Sequence, residues 1–149
     1  MLAASALWKR PFERHRCLIP ADGFYEWKKL TPSQRQPYAF SMSSGEPFAF
    51  AGLWDAWKEP KSSVQGVDTW LQSFTIITTS PNELTKQIHN RMPVIVRPED
   101  YEEWLSRVDG EAAPVHLLRP YSADEMVTRE AHKDVGNVKN NHPELLNSA

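Results

Sequence analysis

Hydrophobic and polar positions alternate with a period of two over several short stretches of this chain, the period of strands rather than helices. Phe24 to Lys29 follows a turn at Pro20-Ala21-Asp22-Gly23, where Gly23 is free to take a positive φ. Alternation puts Phe24, Glu26 and Lys28 on one face and Tyr25 and Trp27 on the other. Pro37 to Met42 repeats the pattern. Phe48 to Trp54 returns after the turn residues Ser43-Ser44-Gly45-Glu46, and the two stretches together predict a hairpin. Cys17-Leu18-Ile19 reads as a short buried strand, with Cys17 as a small core residue. The β-branched run Phe74 to Thr79 reads as a central strand, and Val94 to Val96 and Met126 to Thr128 as further short strands.

Helical signals are fewer. The Ala-rich stretch Leu2 to Lys9 predicts a short helix. Ser80 as cap, Pro81 at the first position and Glu83 completing a capping box predict a helix ending near Ile88 and His89. A second helix starts at Pro98, with Tyr101, Trp104, Leu105 and Val108 as an apolar stripe facing the core. Glu59 to Gly66 is a polar loop, Gly110 to Pro114 a linker, and Val135 to Ala149 an irregular tail. Short strands with two or three small helices predict a β-rich α+β fold in one compact domain. Helices do not alternate with strands and no Gly-rich phosphate fingerprint is present, which argues against a doubly wound sheet.

Composition narrows this picture. A length of 149 residues suits one domain with one core. Twelve prolines favour many short elements over long helices. A formal net charge of −2 excludes a generic polyanion binder, so any nucleic-acid contact must use a local patch. One candidate is the basic segment Lys9 to Arg16, with its Arg14-His15-Arg16 knot. A single cysteine excludes an internal disulfide and a cysteine metal cluster. No run approaches the ~18 apolar residues of a membrane span, and the first residues lack the basic start of a signal peptide.

Among titratable residues, the five histidines show no metal-ligand spacing, and no Gly-x-Ser-x-Gly elbow occurs. The surviving constellation is Glu26, His89 and Arg91. A carboxylate and an imidazole can divide acid and base duties, and an arginine two residues on can hold a phosphate in a two-pronged contact. The competing reading leaves Glu26 on the solvent face of an edge strand, His89 merely ending a helix and Arg91 paired with a surface acid. The functional reading requires Glu26 and His89 to converge on a shared hollow.

Two stretches sharpen this. CLIPADGFYEWKK (Cys17 to Lys29) and IHNRMPVIV (Ile88 to Val96) resemble the signature segments of the SOS-response-associated peptidase family, also called abasic-site processing proteins. The tail Val135 to Asn141 followed by Pro143-Glu144-Leu145 is similar to the family's C-terminal motif. The resemblance implies a strand-rich α+β domain, single-stranded DNA with abasic sites as partner, no cofactor, no membrane, a monomer, and a cytoplasmic location with nucleoid association during DNA damage. It also implies a thiazolidine crosslink between the abasic aldehyde and a cysteine made N-terminal by self-removal of Met. By the same resemblance Glu26 and His89 are the catalytic acid–base residues, and Arg91 and Thr78 line the DNA phosphates.

The chain also departs from the family. It begins Met1-Leu2-Ala3 where the family has Met-Cys-Gly-Arg, and the family's Asn-Ala-Arg segment is absent. The expectation is a partial domain without its first strands and without the nucleophilic cysteine. Cys17 cannot substitute, because ring closure needs thiol and α-amine on one residue. Crosslinking by this polypeptide is therefore not expected, and uncovered apolar faces should lower its stability. Two alternatives stand beside the repair reading. One is a non-catalytic module binding single-stranded DNA through Arg91, Thr78 and Lys9 to Arg16; the other, ranked lower, is a plain peptidase.

Overall fold

The computed structural model describes residues 6–58, 70–107 and 112–146. Among these residues nine strands form in chain order: β1 (Arg16–Ala21), β2 (Phe24–Lys29), β3 (Arg35–Met42), β4 (Phe48–Lys58), β5 (Trp70–Ile76), β6 (Thr78–Thr79), β7 (Met92–Pro93), β8 (Ile95–Val96) and β9 (Met126–Glu130). Helices α1 (Ala6–Arg14) and α2 (Tyr101–Leu105) and several single 3-10 turns complete the described chain. All the pairings are antiparallel. One sheet has the order β1-β4-β5 with β8 also on β4; a second has the order β2-β3-β9; β6 and β7 form a ribbon.

The two main sheets meet over one core, and helices cover the other side of the first sheet. Phe48 and Phe50 of β4 pack with Phe40 and Met42 of β3, with Met92, Ile95 and Met126, and with Phe24 at the edge. The rings of Phe24 and Phe40 stack at 4.9 Å, and Phe50 meets Phe24 edge-on at 5.8 Å. On the opposite face of β4, Ala51 and Leu53 join Phe12 of α1, Trp104 of α2, Ile77, Val94, Val96 and Leu117. Each large side chain so buried stabilises the fold by roughly 1.5–3 kcal/mol. Arg16 ties the helices to β1: its buried guanidinium donates to the carbonyls of Phe12, Glu13, Trp104 and Ser106.

The expected hairpin between Pro37–Met42 and Phe48–Trp54 does not form. β3 pairs with β2 and β9, whereas β4 pairs with β1, β5 and β8. The turn at Ser43–Glu46, with Gly45 at φ 77°, carries the chain from one sheet to the other. Both strands are aromatic on one face, and stacking those faces buries more apolar surface than pairing their edges would. The hairpin lies one connection earlier, between β2 and β3, closed by Leu30 and Thr31 N–H groups on the Gln34 carbonyl.

Other expectations are revised. The Phe74–Thr79 run splits at Ile77, and β5 is an edge strand rather than a central one, with Phe74 64% exposed. With Trp57, Trp70, Leu71 and Ile76 it leaves an apolar surface open. Gly23 does not take a positive φ. It is small because a Cβ there would lie 2.7 Å from the Phe40 carbonyl oxygen. Cys17 is half-buried rather than in the core. α1 runs past the expected end at Lys9 to Arg14, held by buried Phe12 against Trp104 at 6.1 Å, and the expected start at Leu2 lies outside the described residues. Of the α2 stripe, Trp104 is fully buried but Leu105 is exposed. Val108, the Glu59–Gly66 loop and part of the Gly110–Pro114 linker lie outside the described residues. The tail carries two 3-10 turns, Lys133–Gly136 and Pro143–Leu146.

The arrangement is a β-rich α+β domain, as the alternating pattern predicts. No helix among the described residues is long and apolar enough to cross a membrane.

Two tests address this packing. Gly23→Ala forces a methyl into the Phe40 backbone and is expected to cost about 1–3 kcal/mol in urea unfolding. The second concerns Arg97, which donates to both carboxylate oxygens of Glu125 at 2.6 and 3.2 Å and lies 4.6 Å over the Tyr121 ring. The Arg97 hydrogen bond holds the Glu125 carboxyl below the usual carboxylate range. On acidification the unfolded chain takes up this proton first. The contribution is therefore complete above about pH 4.3 and is lost as pH falls through the folded value. Glu125→Gln should flatten the loss of stability between about pH 5 and pH 3, read as urea midpoints.

Candidate functional site

Glu26 lies midway along β2, opposite Tyr38 of β3, which is opposite Glu130 of β9. Phe24, two residues earlier on the same face, is pinned by Phe40 and Phe50. The face is thus apolar at one end and polar where Glu26, Tyr38 and Glu130 form a row across the sheet. The Tyr38 hydroxyl donates to Glu130 at 3.0 Å, and this bond raises the phenol above its ordinary value.

His89 arrives from a different direction. The expected Ser80-capped helix is replaced by a single 3-10 turn, Thr85–Gln87. Asn82 holds it from three residues before, its side-chain oxygen accepting the Thr85 N–H at 2.8 Å. The Thr85 carbonyl then accepts the N–H groups of Ile88 and His89, both at 2.9 Å. Ile88 packs on the inter-sheet core, so the imidazole is delivered to its rim.

There the two expected residues meet: Glu26 Oε2 is 3.9 Å from His89 Nδ1, with the carboxylate side chain 24% and the imidazole 42% exposed. His89 Nδ1 lies 3.1 Å from the Arg91 carbonyl oxygen and 3.3 Å from the Arg91 N–H. Either tautomer of the ring therefore finds a backbone partner at Nδ1. Nε2 has no hydrogen-bond partner among the described residues and is free to give or take a proton. An imidazole held in this way can act as acid or base without moving.

Arg91 and Thr78 also come together. Arg91 Nε donates to Thr78 Oγ1 at 2.9 Å, and its Nη2 donates to Thr78 Oγ1 at 2.7 Å and to the Thr78 carbonyl at 2.6 Å. The β6–β7 ribbon sets this contact by pairing Thr78 with Pro93 and Thr79 with Met92. The Nε–Nη2 edge of the guanidinium is thereby occupied by Thr78. Nη1 and the Thr78 hydroxyl proton remain on an exposed surface.

Three cavities lie elsewhere on the described surface. These hold about 1070, 500 and 200 Å³, and neither Glu26 nor His89 lines any of them. The pair is partly buried at the rim of the inter-sheet core, where Phe24 and Ile88 pack. Within the basic segment Lys9 to Arg16, Arg16 is buried on backbone carbonyls while Lys9, Arg10 and Arg14 are exposed, and Arg10, Arg14 and Arg16 line the same cavity. Sequence reasoning missed Asn82, whose signal was an Asx residue three positions before Thr85. It also missed Tyr38 and Glu130, whose proximity to Glu26 depends on the β2-β3-β9 order.

Comparison with known proteins bears on this geometry. The family model described as SOS response associated peptidase (SRAP) matches residues 1–138. The abasic site processing protein YoqW of Bacillus subtilis is 41% identical over 148 residues, covering 99% of this chain and 63% of that protein. YoaM of the same organism is 42% identical over 142 residues, covering 95% and 60%. A crystal structure of a protein from Bacteroides thetaiotaomicron superposes with a TM-score of 0.86 at 26% identity, over 99% of this chain and 62% of that one. This chain thus spans somewhat under two thirds of the length of these relatives. With the match running through both β-sheets and through Glu26, Thr78, His89 and Arg91, the chain belongs to the SOS response associated peptidase (SRAP) family.

Proposed function

We propose that this protein handles abasic sites in single-stranded DNA, with Glu26 and His89 sharing acid–base work at the opened sugar. The observation that carries this reading is the 3.9 Å approach of Glu26 to His89, from two separate elements, beside the Arg91–Thr78 contact. An abasic sugar exposes an aldehyde and hydroxyls, so both adding to its carbon and leaving from it require proton transfer. His89 Nε2 and a Glu26 oxygen offer two transfer groups with different chemistries. Arg91 Nη1 and the Thr78 hydroxyl face the phosphates flanking the lesion, fixing the strand without reading its sequence. The printed names of the relatives, abasic site processing proteins, point the same way.

Cysteine crosslinking is not part of this proposal. Cys17 sits inside β1 with its amine in a peptide bond, so it cannot supply thiol and amine together. Burial also pushes its thiol above the ordinary value, leaving little thiolate near neutral pH. Iodoacetamide should alkylate Cys17 in the native chain at least roughly tenfold more slowly than free cysteine at the same pH.

Anisotropy titrations with one oligonucleotide, intact or carrying a single abasic site, test the main reading. Glu26→Gln and His89→Ala are each expected to lower the preference for the abasic strand by roughly tenfold. Arg91→Gln should weaken both strands alike and reduce the salt slope by about 0.7. Equal, salt-sensitive affinity for both strands in the unaltered chain would replace this reading with that of a non-catalytic single-strand binder.

A further inference from the structure

We infer that Asn82 is a positioning residue for His89, its side-chain oxygen holding the turn that delivers the imidazole; the inference rests on the site reading above and deepens it. Asn82 is buried, and its contacts run in two directions. Toward the site, its side-chain oxygen accepts from Thr85 N and its carbonyl from Lys86 N at 2.9 Å. Those bonds set the turn whose Thr85 carbonyl fixes the amides of Ile88 and His89. Away from the site, Asn82 Nδ2 donates to the Tyr121 carbonyl at 2.8 Å. Tyr121 is itself held, its ring beneath the Arg97 guanidinium and its hydroxyl 3.3 Å from the Glu125 carboxylate that Arg97 grips.

The methionine sulfurs close the socket. Asn82 N–H points at Met92 Sδ at 3.2 Å, and Nδ2 also lies 3.4 Å from Met126 Sδ. Met92 directly follows Arg91, whose backbone contacts His89 Nδ1, and it opens the strand paired with Thr79. Asn82 thus touches both arms that define the imidazole's position: the turn before it through its side-chain oxygen, and the strand after it through its backbone N–H on Met92. A turn of three residues has little stability of its own. Its geometry must come from such external ties. Without Asn82, His89 keeps its place in the sequence but loses the reference that sets it against Glu26.

The test compares Asn82→Ala with Asn82→Ser in the full chain. Serine keeps an acceptor for Thr85 N but is too short to reach the Tyr121 carbonyl. Amide hydrogen exchange by NMR should show protection at Ile88 and His89 falling about fivefold or more in Asn82→Ala, with Ala51 and Val94 unchanged. Asn82→Ser should restore it, and the preference for an abasic over an intact strand should fall and return in step. A loss spread evenly over the domain, or an equal loss at His89 in the serine variant, would overturn the inference. So would an abasic preference unmoved by Asn82→Ala. Should the alanine variant not fold, retained or lost protection at His89 in Asn82→Ser decides the matter. If the unaltered chain shows no abasic preference, the site reading fails, and the exchange data still judge Asn82.

Discussion

Strand β4 has neighbours on both edges and both faces, and its residue sizes make that possible. Along one edge it pairs with β1 from Phe48 to Leu53; along the other it pairs first with β8 at Ala49 and Phe50, then with β5 from Gly52 onward. Phe48 and Phe50 fill one face, and Ala49, Ala51 and Leu53 lie on the other against the helices. Gly52 is required where Cys17 and Ile19 of β1 fold over the strand, since a Cβ there would lie 2.6 Å from Ile19 Cδ1 and 2.8 Å from Cys17 Sγ. Three backbone bonds complete the crossing: Ala51 N to the Val94 carbonyl, Val94 N to Ile77, and Ile77 N to Ala51. These place β6, β7 and β8 relative to β4, and so fix the platform on which His89, Arg91 and Thr78 stand.

The site inherits its precision from that crossing. Glu26 belongs to the second sheet and is placed by Phe24 against Phe40 and Phe50. His89 belongs to the segment between β6 and β7 and is placed by Ile88, Asn82 and the Arg91 backbone. The two meet because the same inter-sheet core grips both Phe24 and Ile88. The exposed apolar residues of β5 lie outside this arrangement: Phe74 and Leu71 belong to neither core. Changes on that open face should therefore bear on solubility and association more than on the Glu26–His89 geometry.

Strand positions were largely legible because period-two alternation survives in short segments; Phe24–Lys29 appears with the limits the pattern assigns. Pairing was not. Ser43–Glu46 has the composition of a hairpin turn, and nothing local distinguishes a turn that folds a strand back from one that hands the chain to another sheet. The difference lies in Phe40 and Phe50 facing each other, a long-range fact. The helix expected from Ser80 failed for a related reason. Asn82 offers a competing side-chain acceptor two residues later, and its buried contacts to Tyr121 and two methionines are tertiary. The site residues were legible chiefly through family resemblance, since spacing left Glu26, His89 and Arg91 as one candidate against a bland alternative. Their proximity could not come from spacing at all, because 63 positions separate Glu26 from His89.

The separation of the pair constrains how it can work. At 3.9 Å, Glu26 Oε2 and His89 Nδ1 are beyond the 2.7–3.2 Å of a hydrogen bond, and the Nδ1 edge already faces the Arg91 backbone. A proton therefore does not pass directly from one side chain to the other, as in a relay with the carboxylate bound to the ring. On the proposed reading each group acts instead on a third party in contact with both, such as a substrate atom or a water held by it. That favours a reactant with several exchangeable positions close together. An opened sugar with an aldehyde and neighbouring hydroxyls, the reactant proposed above, has them.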